Sequence, residues 1–456
     1  MLSLLKEYFE GKKILILGFG IEGQSTYRLL RKLFPDEVLN IADINEGLIN
    51  SEIIGADLPK LNLQLGADYL KNIEDYDLVI KTPGISLKNI SDCDFSRLTS
   101  HTELFIRLFR TQIIGITGTK GKSTTASLIH HIIKTYNDNC LLVGNIGIPP
   151  FDLIDCINKE TVIVFELSSH QLEQISVSPH IAVLLNLFEE HLDHYKTFEN
   201  YQKAKFNNAL FQDSNDFFIF NADDPRINKL RSENLLKGKL IKYTLSQKNE
   251  KGCYLSSNKV IYKDSKEMEV LSKTEFNNLI GEHNLLNIMA AVCASIVSGI
   301  PVESIAKGVE SYTPLEHRIE FVGKYNDIIY YNDSISTIPE ATIAAVRSLK
   351  NVDTLIIGGF DRGISYDSLI DFISQSNISN LIFVGEAGKR MMSIYLQESN
   401  KGKNIFATSD FEKAIQFAKH HTRKNSICLL SPAAASYDMF KNFIERGNKY
   451  KQLVRK

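Results

Sequence analysis

The stretch that most constrains the fold runs from Gly115 to Thr125 and reads Gly-Ile-Thr-Gly-Thr-Lys-Gly-Lys-Ser-Thr-Thr. It follows the β-branched residues Ile113 and Ile114 and precedes a segment with apolar residues at helical spacing. This order predicts a strand, a glycine loop and a helix. Glycines let backbone N–H groups approach phosphate oxygens, and the helix N-terminus adds partial positive charge. The stretch therefore predicts binding of ATP with magnesium.

Within this phosphate loop, Lys122 can reach the terminal phosphates and the Ser123 hydroxyl can ligate Mg²⁺. The other candidate phosphate contacts are Gly118, Thr119, Lys120, Gly121 and Thr124. The usual pattern places a glycine five residues before Gly121, where this chain has Ile116. The loop is therefore an atypical one built on Gly118 and Gly121.

Length and charge restrict the class of protein. With 456 residues, the chain is too long for one ordinary core, and roughly three domains are expected. Its 52 basic and 54 acidic residues give a net charge of -2, so we expect neither a nucleic-acid partner nor a membrane partner. The six cysteines lack C-x-x-C spacing, which predicts neither a zinc site nor a disulfide framework and favours the cytoplasm.

A second glycine turn lies near the N-terminus. A buried-strand pattern over residues 12–17 runs into Gly-Phe-Gly-Ile-Glu-Gly, and the next predicted strand ends at Asp43. The candidate ligand-binding residues are Gly18, Gly20, Gly23 and Asp43. This spacing is typical of dinucleotide-binding domains, in which the acidic residue holds a ribose hydroxyl. Taken alone the turn predicts NAD, although such turns also hold other nucleotides.

The central part of the chain places polar side chains directly after predicted strands. A strand over residues 161–165 ends at Glu166, and a strand over residues 181–185 precedes His191 closely. Because the carboxyl ends of parallel strands form the ligand edge of an α/β sheet, we expect these side chains to lie near Ser123. Oxygen ligands suit Mg²⁺, whereas a histidine is a less usual ligand and could instead cap a helix.

Three further segments of the middle region carry predictions. Residues 142–150 are rich in glycine and proline and predict a loop with Asn145 as its one good polar side chain. Residues 238–275 alternate apolar and polar positions, which predicts a small antiparallel addition of strands. Asn284 and Asn287 stand three apart on one face of a predicted helix, where they could read a base edge or cap the helix.

After a linker near residue 313, strands and helices alternate again and predict a second doubly wound unit. Polar residues again follow predicted strands, at Asn332-Asp333-Ser334 and from Ser431 to Ser436. We therefore predict an α/β protein with three domains over residues 1–110, 111–313 and 314–456.

Taken together, the motifs resemble the Mur ligases, which are ATP-dependent amide-forming enzymes of peptidoglycan precursor synthesis. The matching motifs are Gly118–Thr124, Glu166–Ser169, Glu190–Asp193, Gly281–Asn284, His317-Arg318, Asn332–Ser334 and Ser431–Ser436. The resemblance implies a Rossmann-like N-terminal domain, a central P-loop ATPase α/β domain and a mobile, doubly wound C-terminal domain that closes over them. In this family the first glycine turn holds the UDP portion of the substrate rather than NAD.

Within the family, the chain most resembles the members that add glutamate to UDP-N-acetylmuramoyl-L-alanine. The resemblance implies that ATP phosphorylates the muramoyl-alanine carboxylate and that the glutamate amine then displaces phosphate from the acyl phosphate. Lys122 would hold the β- and γ-phosphates, Ser123 and Glu166 one Mg²⁺, and His191 a second. Lys205 matches the lysine that is carbamylated by CO₂ in this family and then helps to organise the second metal.

The remaining carried-over contacts concern ATP and the reacting carboxylate. Asn284 and Asn287 match contacts to adenine. Arg318 and Asp333 match residues that reach the ATP phosphates and ribose from the far side of the cleft. Asn145 matches a substrate contact near the reacting carboxylate.

The departures from the family pattern concern the incoming amino acid. A lysine that helps to hold the glutamate carboxylate commonly follows Asp-Ser, and this chain has Ile335 there. Ser436 and Phe443 still match two other residues of the glutamate site. Arg362 or Lys120 could supply the missing charge; otherwise the pocket holds glutamate in another pose, including L-glutamate. The two retained matches favour D-glutamate.

We therefore expect a cytoplasmic, monomeric ligase. One alternative is a ligase of the same superfamily that uses L-glutamate or another acceptor, such as a folate- or polyglutamate-type substrate. Another is a non-catalytic nucleotide-dependent switch. The intact set Lys122, Ser123, Glu166, His191 and Lys205 argues against the switch, because a binding module has no need of two metal positions.

Overall fold

The computed structural model describes residues 2–55, 57–85, 97–246, 251–272, 279, 281–349, 351–398 and 402–456. The chain divides into two compact units, Met1–Tyr312 and Thr313–Lys456. Among the described residues the strands form three sheets, two in the first unit and one in the second. No helix in these ranges is long and apolar enough to cross a membrane.

The first sheet is parallel throughout and carries the N-terminal glycine turn. Its strands are β1 (Ile14–Leu17), β2 (Leu39–Asp43), β3 (Leu61–Leu65), β4 (Leu78–Lys81) and β5 (Leu98–Ser100), in the order β3-β2-β1-β4-β5. The accompanying helices are α1 (Leu2–Phe9), α2 (Ile21–Leu33), α3 (Glu52–Gly55) and α4 (His101–Phe109). Strand order reverses at β1, so the turn after β1 lies at the switch point where such sheets bind ligands.

The second sheet of the first unit carries the phosphate loop. Its strands are β6 (Ile113–Thr117), β7 (Cys140–Gly144), β8 (Val162–Glu166), β9 (Ile181–Leu184), β10 (Phe217–Asn221), β11 (Lys239–Thr244), β12 (Gly252–Ser256), β13 (Lys259–Lys263) and β14 (Glu267–Ser272). The order is β14-β13-β12-β11-β10-β9-β6-β8-β7. Its helices are α5 (Lys122–Tyr136), α6 (Ser169–Leu172), α7 (Leu192–Tyr195), α8 (Phe198–Leu210), α9 (Pro225–Glu233), α10 (Glu282–Val297) and α11 (Val302–Ser311).

Two segments of this sheet differ from the sequence prediction. Residues 142–144, the start of the predicted loop, belong to β7, because their backbone pairs in parallel with β8. The region after residue 238 is only partly antiparallel: β11 pairs in parallel with β10, and only β12, β13 and β14 form antiparallel pairs. Period-2 alternation indicates a strand but does not give the direction of its partner.

An aromatic cluster joins the two sheets of the first unit. The Phe105 ring on α4 lies 5.7 Å from the Phe151 ring and 5.8 Å from the Phe165 ring, measured between centroids. All three side chains are buried. At the edge of this contact, Arg28 forms an ion pair with Asp152 at 2.6 Å. The first unit therefore has a hydrophobic core that runs continuously from one sheet to the other.

The second unit contains a mostly parallel sheet. Its strands are β15 (Glu320–Tyr325), β16 (Ile328–Asn332), β17 (Val352–Gly358), β18 (Asn380–Val384), β19 (Asn404–Thr408) and β20 (Ile427–Leu430), in the order β15-β16-β20-β17-β18-β19, with β15 antiparallel to β16. Its helices are α12 (Pro339–Ser348), α13 (Asp367–Gln375), α14 (Gly385–Glu398), α15 (Phe411–His421) and α16 (Phe443–Arg455). The polar motifs of this region follow β16 and β20, which are neighbouring strands.

Candidate active site

The phosphate loop requires glycine at two positions. Gly118 and Gly121 have φ angles of +154° and +84°, which L side chains rarely adopt. A Cβ atom on Gly121 would lie 2.4 Å from Oδ1 of Asn287, so the start of α10 packs directly against the loop. The Lys122 ammonium donates to the carbonyls of Gly118 and Thr119 at 3.0 Å. The predicted phosphate-binding lysine is thus folded over its own loop.

Asn186, which the motifs did not identify, fixes the conformation of the loop. Its Oδ1 accepts from the Lys120 backbone N–H at 2.8 Å, and its Nδ2 donates to the Lys120 carbonyl at 3.0 Å. The Thr119 N–H donates to the Asn186 carbonyl at 2.9 Å. The sequence signal was available, because Asn186 follows a buried strand directly. The Lys120 ammonium pairs with Glu190, so its charge already has a carboxylate partner.

Glu166 at the end of β8 is a fully buried carboxylate that fits a metal ligand. Its Oε1 accepts from Nδ2 of Asn145 at 2.9 Å, and the Asn145 N–H donates to its carbonyl at 3.0 Å. Its Oε2 is buried and has no hydrogen-bond partner within the described part of the chain. An unsatisfied buried oxygen is costly, and a bound cation would satisfy it. Glu166 pairs in register with Ile116, which places it beside the strand that leads to the phosphate loop.

Lys205 lies on α8 and is buried against the loop. Its ammonium donates to the Gly118 carbonyl at 2.8 Å and lies 5.0 Å from the centroid of the Tyr201 ring. The Tyr201 hydroxyl is hydrogen-bonded to Oγ1 of Thr119 at 2.9 Å. Burial, followed by the positive charge of Lys122, holds the pKa of Lys205 well below its usual range. The structure therefore brings Lys205 to the loop, which composition alone did not predict.

His191 lies just before α7 in an aromatic cluster next to Lys205. Its φ is +57°, its side chain is exposed, and its ring lies 6.2 Å from that of Tyr201. The His170 ring lies 5.0 Å from that of His191 and 4.5 Å from that of His194. Burial, with the neighbouring His194 and His191, lowers the pKa of His170 to about 4. Across the described ranges, no three His, Cys, Asp or Glu side chains converge as a ready-made metal site.

The two asparagines predicted to contact adenine lie together at the start of α10. Nδ2 of Asn287 donates to Oδ1 of Asn284 at 3.2 Å, and Asn287 is buried against Gly121. The contact with Gly121 places Asn287, and Asn284 bonded to it, beside the phosphate loop. Their contact with the base itself stays a prediction.

The first glycine turn is closely packed and anchored by Asp43. Gly18 has a φ of +91°, and a Cβ on Gly23 would lie 2.1 Å from the Gly18 carbonyl oxygen. The Asp43 carboxylate accepts from the Phe19 N–H at 2.6 Å, so it anchors the turn. Gly20 caps the N-terminus of α2 and has open space around it.

In the second unit, the two polar motifs are joined through Asp333. Its Oδ2 accepts from Oγ of Ser431 at 2.7 Å, and its Oδ1 accepts from the Ile319 N–H at 3.2 Å. Burial raises its pKa to about 6, against the lowering effects of hydrogen bonds and of the Arg318 charge. The predicted contacts of Arg318 and Asp333 with ATP stay predictions.

The predicted amino-acid pocket of the second unit is organised by Arg446. This buried guanidinium donates to Oγ of Ser334 at 3.0 Å and to the Ala434 and Ala435 carbonyls at 3.1 Å. Oγ of Ser334 also donates to the Phe443 carbonyl at 2.8 Å. Arg446 therefore joins the start of α16, which carries the predicted residue Phe443, to the loops that carry Ile335 and the predicted residue Ser436. Sequence motifs had not identified it.

Arg362, one of the two alternatives considered above, contacts the loop that contains Ile335. Its Nη2 donates to the Thr337 carbonyl, two residues after Ile335, at 2.5 Å. Lys120, the other alternative, belongs to the first unit and is paired with Glu190. Arg362 is therefore the better candidate for a carboxylate contact.

Two family models match the chain. The Mur ligase middle domain matches residues 116–295, and the Mur ligase glutamate ligase domain matches residues 317–434. A UDP-N-acetylmuramoylalanine–D-glutamate ligase of Acetivibrio thermocellus is 32% identical over 99% of this chain and 98% of its own length. The enzyme of the same name from Clostridium tetani is 34% identical over the same shares.

Solved structures give the same fold at lower identity. A MurF ligase from Thermotoga maritima in complex with ADP has a TM-score of 0.58 and 16% identity, and covers 92% of this chain and 95% of its own. A MurC ligase from Thermotoga maritima has a TM-score of 0.56 and 17% identity, covering 97% and 99%. The full-length similarity indicates the same family as two features of the site, the phosphate loop and the buried carboxylate at the end of β8. The chain therefore belongs to the Mur ligase family of ATP-dependent amide-bond-forming ligases.

Proposed function

We propose that the protein joins D-glutamate to UDP-N-acetylmuramoyl-L-alanine with cleavage of ATP to ADP and phosphate. A carboxylate oxygen of the alanyl group attacks the γ-phosphorus, and ADP leaves. The glutamate amine then attacks the acyl carbon, and phosphate leaves with the carboxylate oxygen. The observation that carries this proposal is the placement of Lys205 and Lys122 on the phosphate loop carbonyls, beside the strand that ends in Glu166.

Phosphoryl transfer needs positioning and charge neutralisation more than covalent chemistry. Lys122 would exchange its contacts with the loop carbonyls for contacts with the β- and γ-phosphates. Ser123 and Glu166 would hold one Mg²⁺, and His191 a second, which would neutralise phosphate charge during the transfer. The unsatisfied Oε2 of Glu166 supports the first of these sites.

We also propose that Lys205 carries a carbamate. Only a neutral amine adds to CO₂, and the burial of Lys205 favours the neutral form. The product would be an anion in place of a cation, at a position next to Lys122 and His191. The carbamate oxygens would supply anionic ligands for the second metal ion.

The first glycine turn is the proposed site for the UDP portion of the substrate. Ile21 and Ile44 border the turn and expose 74% and 64% of their surface. Two exposed aliphatic side chains at a ligand edge suit the faces of a base, and the N-terminus of α2 suits a phosphate. The Asp43 carboxylate anchors the turn and would meet a ribose hydroxyl only if it released the Phe19 N–H.

The amino-acid pocket is proposed to lie in the second unit around Ser436 and Phe443, with Arg362 holding a glutamate carboxylate. Arginine can bind a carboxylate with two parallel hydrogen bonds. Ile335 favours a second candidate, in which the pocket takes L-glutamate in another pose. A ligase that extends a folate- or polyglutamate-type acceptor would belong to that second candidate.

The site motifs all lie on one chain, and we propose that a monomer is the active form. The five described cysteines are free, which supports a reducing compartment such as the cytoplasm.

Phosphate release separates the candidates. The protein with ATP, magnesium and UDP-N-acetylmuramoyl-L-alanine should release phosphate when D-glutamate is added, and the product should gain one glutamate by mass spectrometry. Release with L-glutamate but not D-glutamate would establish the second candidate. No release above the rate with ATP alone, with either isomer of glutamate, would contradict the proposed reaction and leave only a ligase for another acceptor.

A further inference from the structure

Glu22 connects the first glycine turn to the second sheet of the first unit. It stands in the first turn of α2, directly before Gly23, whose Cα is pressed against Gly18. Its Oε1 accepts from Nε2 of Gln171 at 2.6 Å, across 149 positions of sequence. Neither the ATP site nor the amino-acid pocket described above uses this side chain.

Gln171 passes this contact on to the segment that follows β8. Its Oε1 accepts from the Ser168 N–H at 2.7 Å, and its own N–H donates to Oγ of Ser168 at 3.3 Å, which makes a capping box at the start of α6. Ser168 is two residues after Glu166. The intervening Leu167 donates its N–H to the Ile116 carbonyl at 2.8 Å. The hydrogen-bonded series thus ends at Ser168, two residues after the buried Glu166 carboxylate.

The Glu22 carboxyl group is buried, and its surroundings hold it at an energetic cost. Its Oε2 is buried and has no hydrogen-bond partner among the residues that the structure describes. Burial raises its pKa to about 7, while Gln171 and the charge of Lys81 act in the opposite direction. The buried Lys81 ammonium donates to the Thr82 and Ile85 carbonyls at 3.1 and 2.9 Å. A carboxyl group kept in such a place at an energetic cost points to a role beyond surface solvation.

We propose that Glu22 is a positioning residue for Glu166, and that the series Glu22–Gln171–Ser168 connects the glycine turn with the metal-binding end of β8. The inference rests on the proposed function, because it takes Glu166 as a metal ligand. The series would act by fixing the backbone that follows Glu166, and loss of the outer partners that hold a ligand in position typically weakens metal binding. A substrate held at the glycine turn and a metal held by Glu166 would then each favour binding of the other.

Two substitutions separate the hydrogen bond from the charge. Glu22→Gln keeps a side-chain oxygen that can accept from Gln171, whereas Glu22→Ala removes it. Glu37→Ala, which changes an exposed carboxylate elsewhere in the same sheet domain, is the matched control. The affinity for Mn²⁺, used in place of Mg²⁺ with ADP present, is measured by electron paramagnetic resonance without any muramoyl substrate. Thermal unfolding of each variant is recorded alongside.

For Glu22→Ala we expect the Mn²⁺ dissociation constant to rise roughly tenfold, while Glu22→Gln and Glu37→Ala stay close to wild type. Adding UDP-N-acetylmuramoyl-L-alanine should tighten Mn²⁺ binding in the wild type and not in Glu22→Ala. Unchanged Mn²⁺ affinity in Glu22→Ala would overturn the inference, as would an equal loss in Glu22→Gln. Because the first arm needs neither substrate nor turnover, failure of the ligase reaction would leave its result interpretable.

Discussion

Lys205 is the residue whose chemistry depends most on its surroundings. An exposed lysine stays protonated at neutral pH and does not react with CO₂, and most lysines in a chain of this composition are exposed. This side chain is buried on the phosphate loop beside Lys122, and both factors favour the neutral amine. Without the family resemblance, the sequence predicts that Lys205 is an ordinary surface lysine. The resemblance, together with its burial in the structure, distinguishes it from exposed lysines.

Replacing Lys205 by alanine should remove most of the activity. We expect kcat to fall roughly a hundredfold or more, because the carbamate that would help to hold the second, charge-neutralising metal ion can no longer form. Added bicarbonate should not restore it, since no amine remains to react. Lys203→Ala is the matched control, because Lys203 lies on the same helix and is 63% exposed in an ion pair with Glu199. Steady-state phosphate release measures both, and an active Lys205→Ala variant would rule out the carbamate.

Ile335 is the residue that sets this chain apart from the usual pattern of the glutamate site. Introducing a lysine, Ile335→Lys, should change KM for glutamate more than KM for ATP, because the new ammonium would pair with a glutamate carboxylate. Varying each substrate at saturating levels of the others gives the two constants. Equal changes in both would place position 335 outside the amino-acid pocket.

At the scale of elements, the glycine loops and the strands next to them were predictable, whereas edge strands were not. The buried strands β1, β6, β8 and β9 have continuous apolar runs, and each was predicted. β3 and β19 are partly exposed along their length and have mixed polarity, so no pattern identified them. β7 was hidden by the glycines and prolines that follow it. Whether such a segment forms a strand depends on the strand that it pairs with, and that strand is distant in sequence.

The phosphate loop should fail when Gly121 acquires a side chain. Alanine at this position must adopt a φ of +84° and would contact Asn287, so the loop would move away from its phosphate-binding shape. We expect the affinity for a non-hydrolysable ATP analogue to fall roughly tenfold. Gly55→Ala is the control, because its Cβ would enter open space. Calorimetric titration gives the two affinities, and wild-type affinity in Gly121→Ala would contradict the assignment.

At the scale of the whole molecule, the two sheets of the first unit share a hydrophobic core. A buried histidine in this core makes the stability of the unit sensitive to acid. His101 on α4 is fully buried, hydrogen-bonded through Nδ1 to Oγ1 of Thr26 at 3.0 Å and edge-on to the Phe151 ring. Burial lowers its pKa from an ordinary 6.5 to about 3. As pH falls below 6.5, the unfolded chain therefore binds a proton that the folded chain does not, and unfolding becomes easier.

When the pH falls from about 7.5 to about 5, we expect His101 to lower the unfolding free energy of the wild type by about 2 kcal/mol. His101→Leu should lose that part of the pH dependence, although it is less stable at neutral pH because the bond to Thr26 is gone. His420→Leu, which changes an exposed histidine, should keep the wild-type dependence. Urea titration followed by circular dichroism suits a chain without tryptophan. A wild-type pH slope in His101→Leu would show that His101 is not responsible.

The residues of the candidate site also differ in whether the sequence could predict them. Lys122, Glu166 and the glycines could be predicted because local sequence fixes strand, turn and helix, and the sheet edge then brings them together. Glu22 and Arg446 could not, because each acts through hydrogen bonds to side chains far along the chain. A short polar residue has many possible partners, and only the folded chain selects one.

The most direct test of the proposed reaction follows one oxygen atom. UDP-N-acetylmuramoyl-L-alanine with ¹⁸O in its alanyl carboxylate is converted with ATP and D-glutamate, and the released phosphate is analysed by mass spectrometry. An acyl phosphate predicts that one labelled oxygen moves from the carboxylate to inorganic phosphate, with ADP as the other product. Unlabelled phosphate, or labelled AMP with pyrophosphate, would contradict the account.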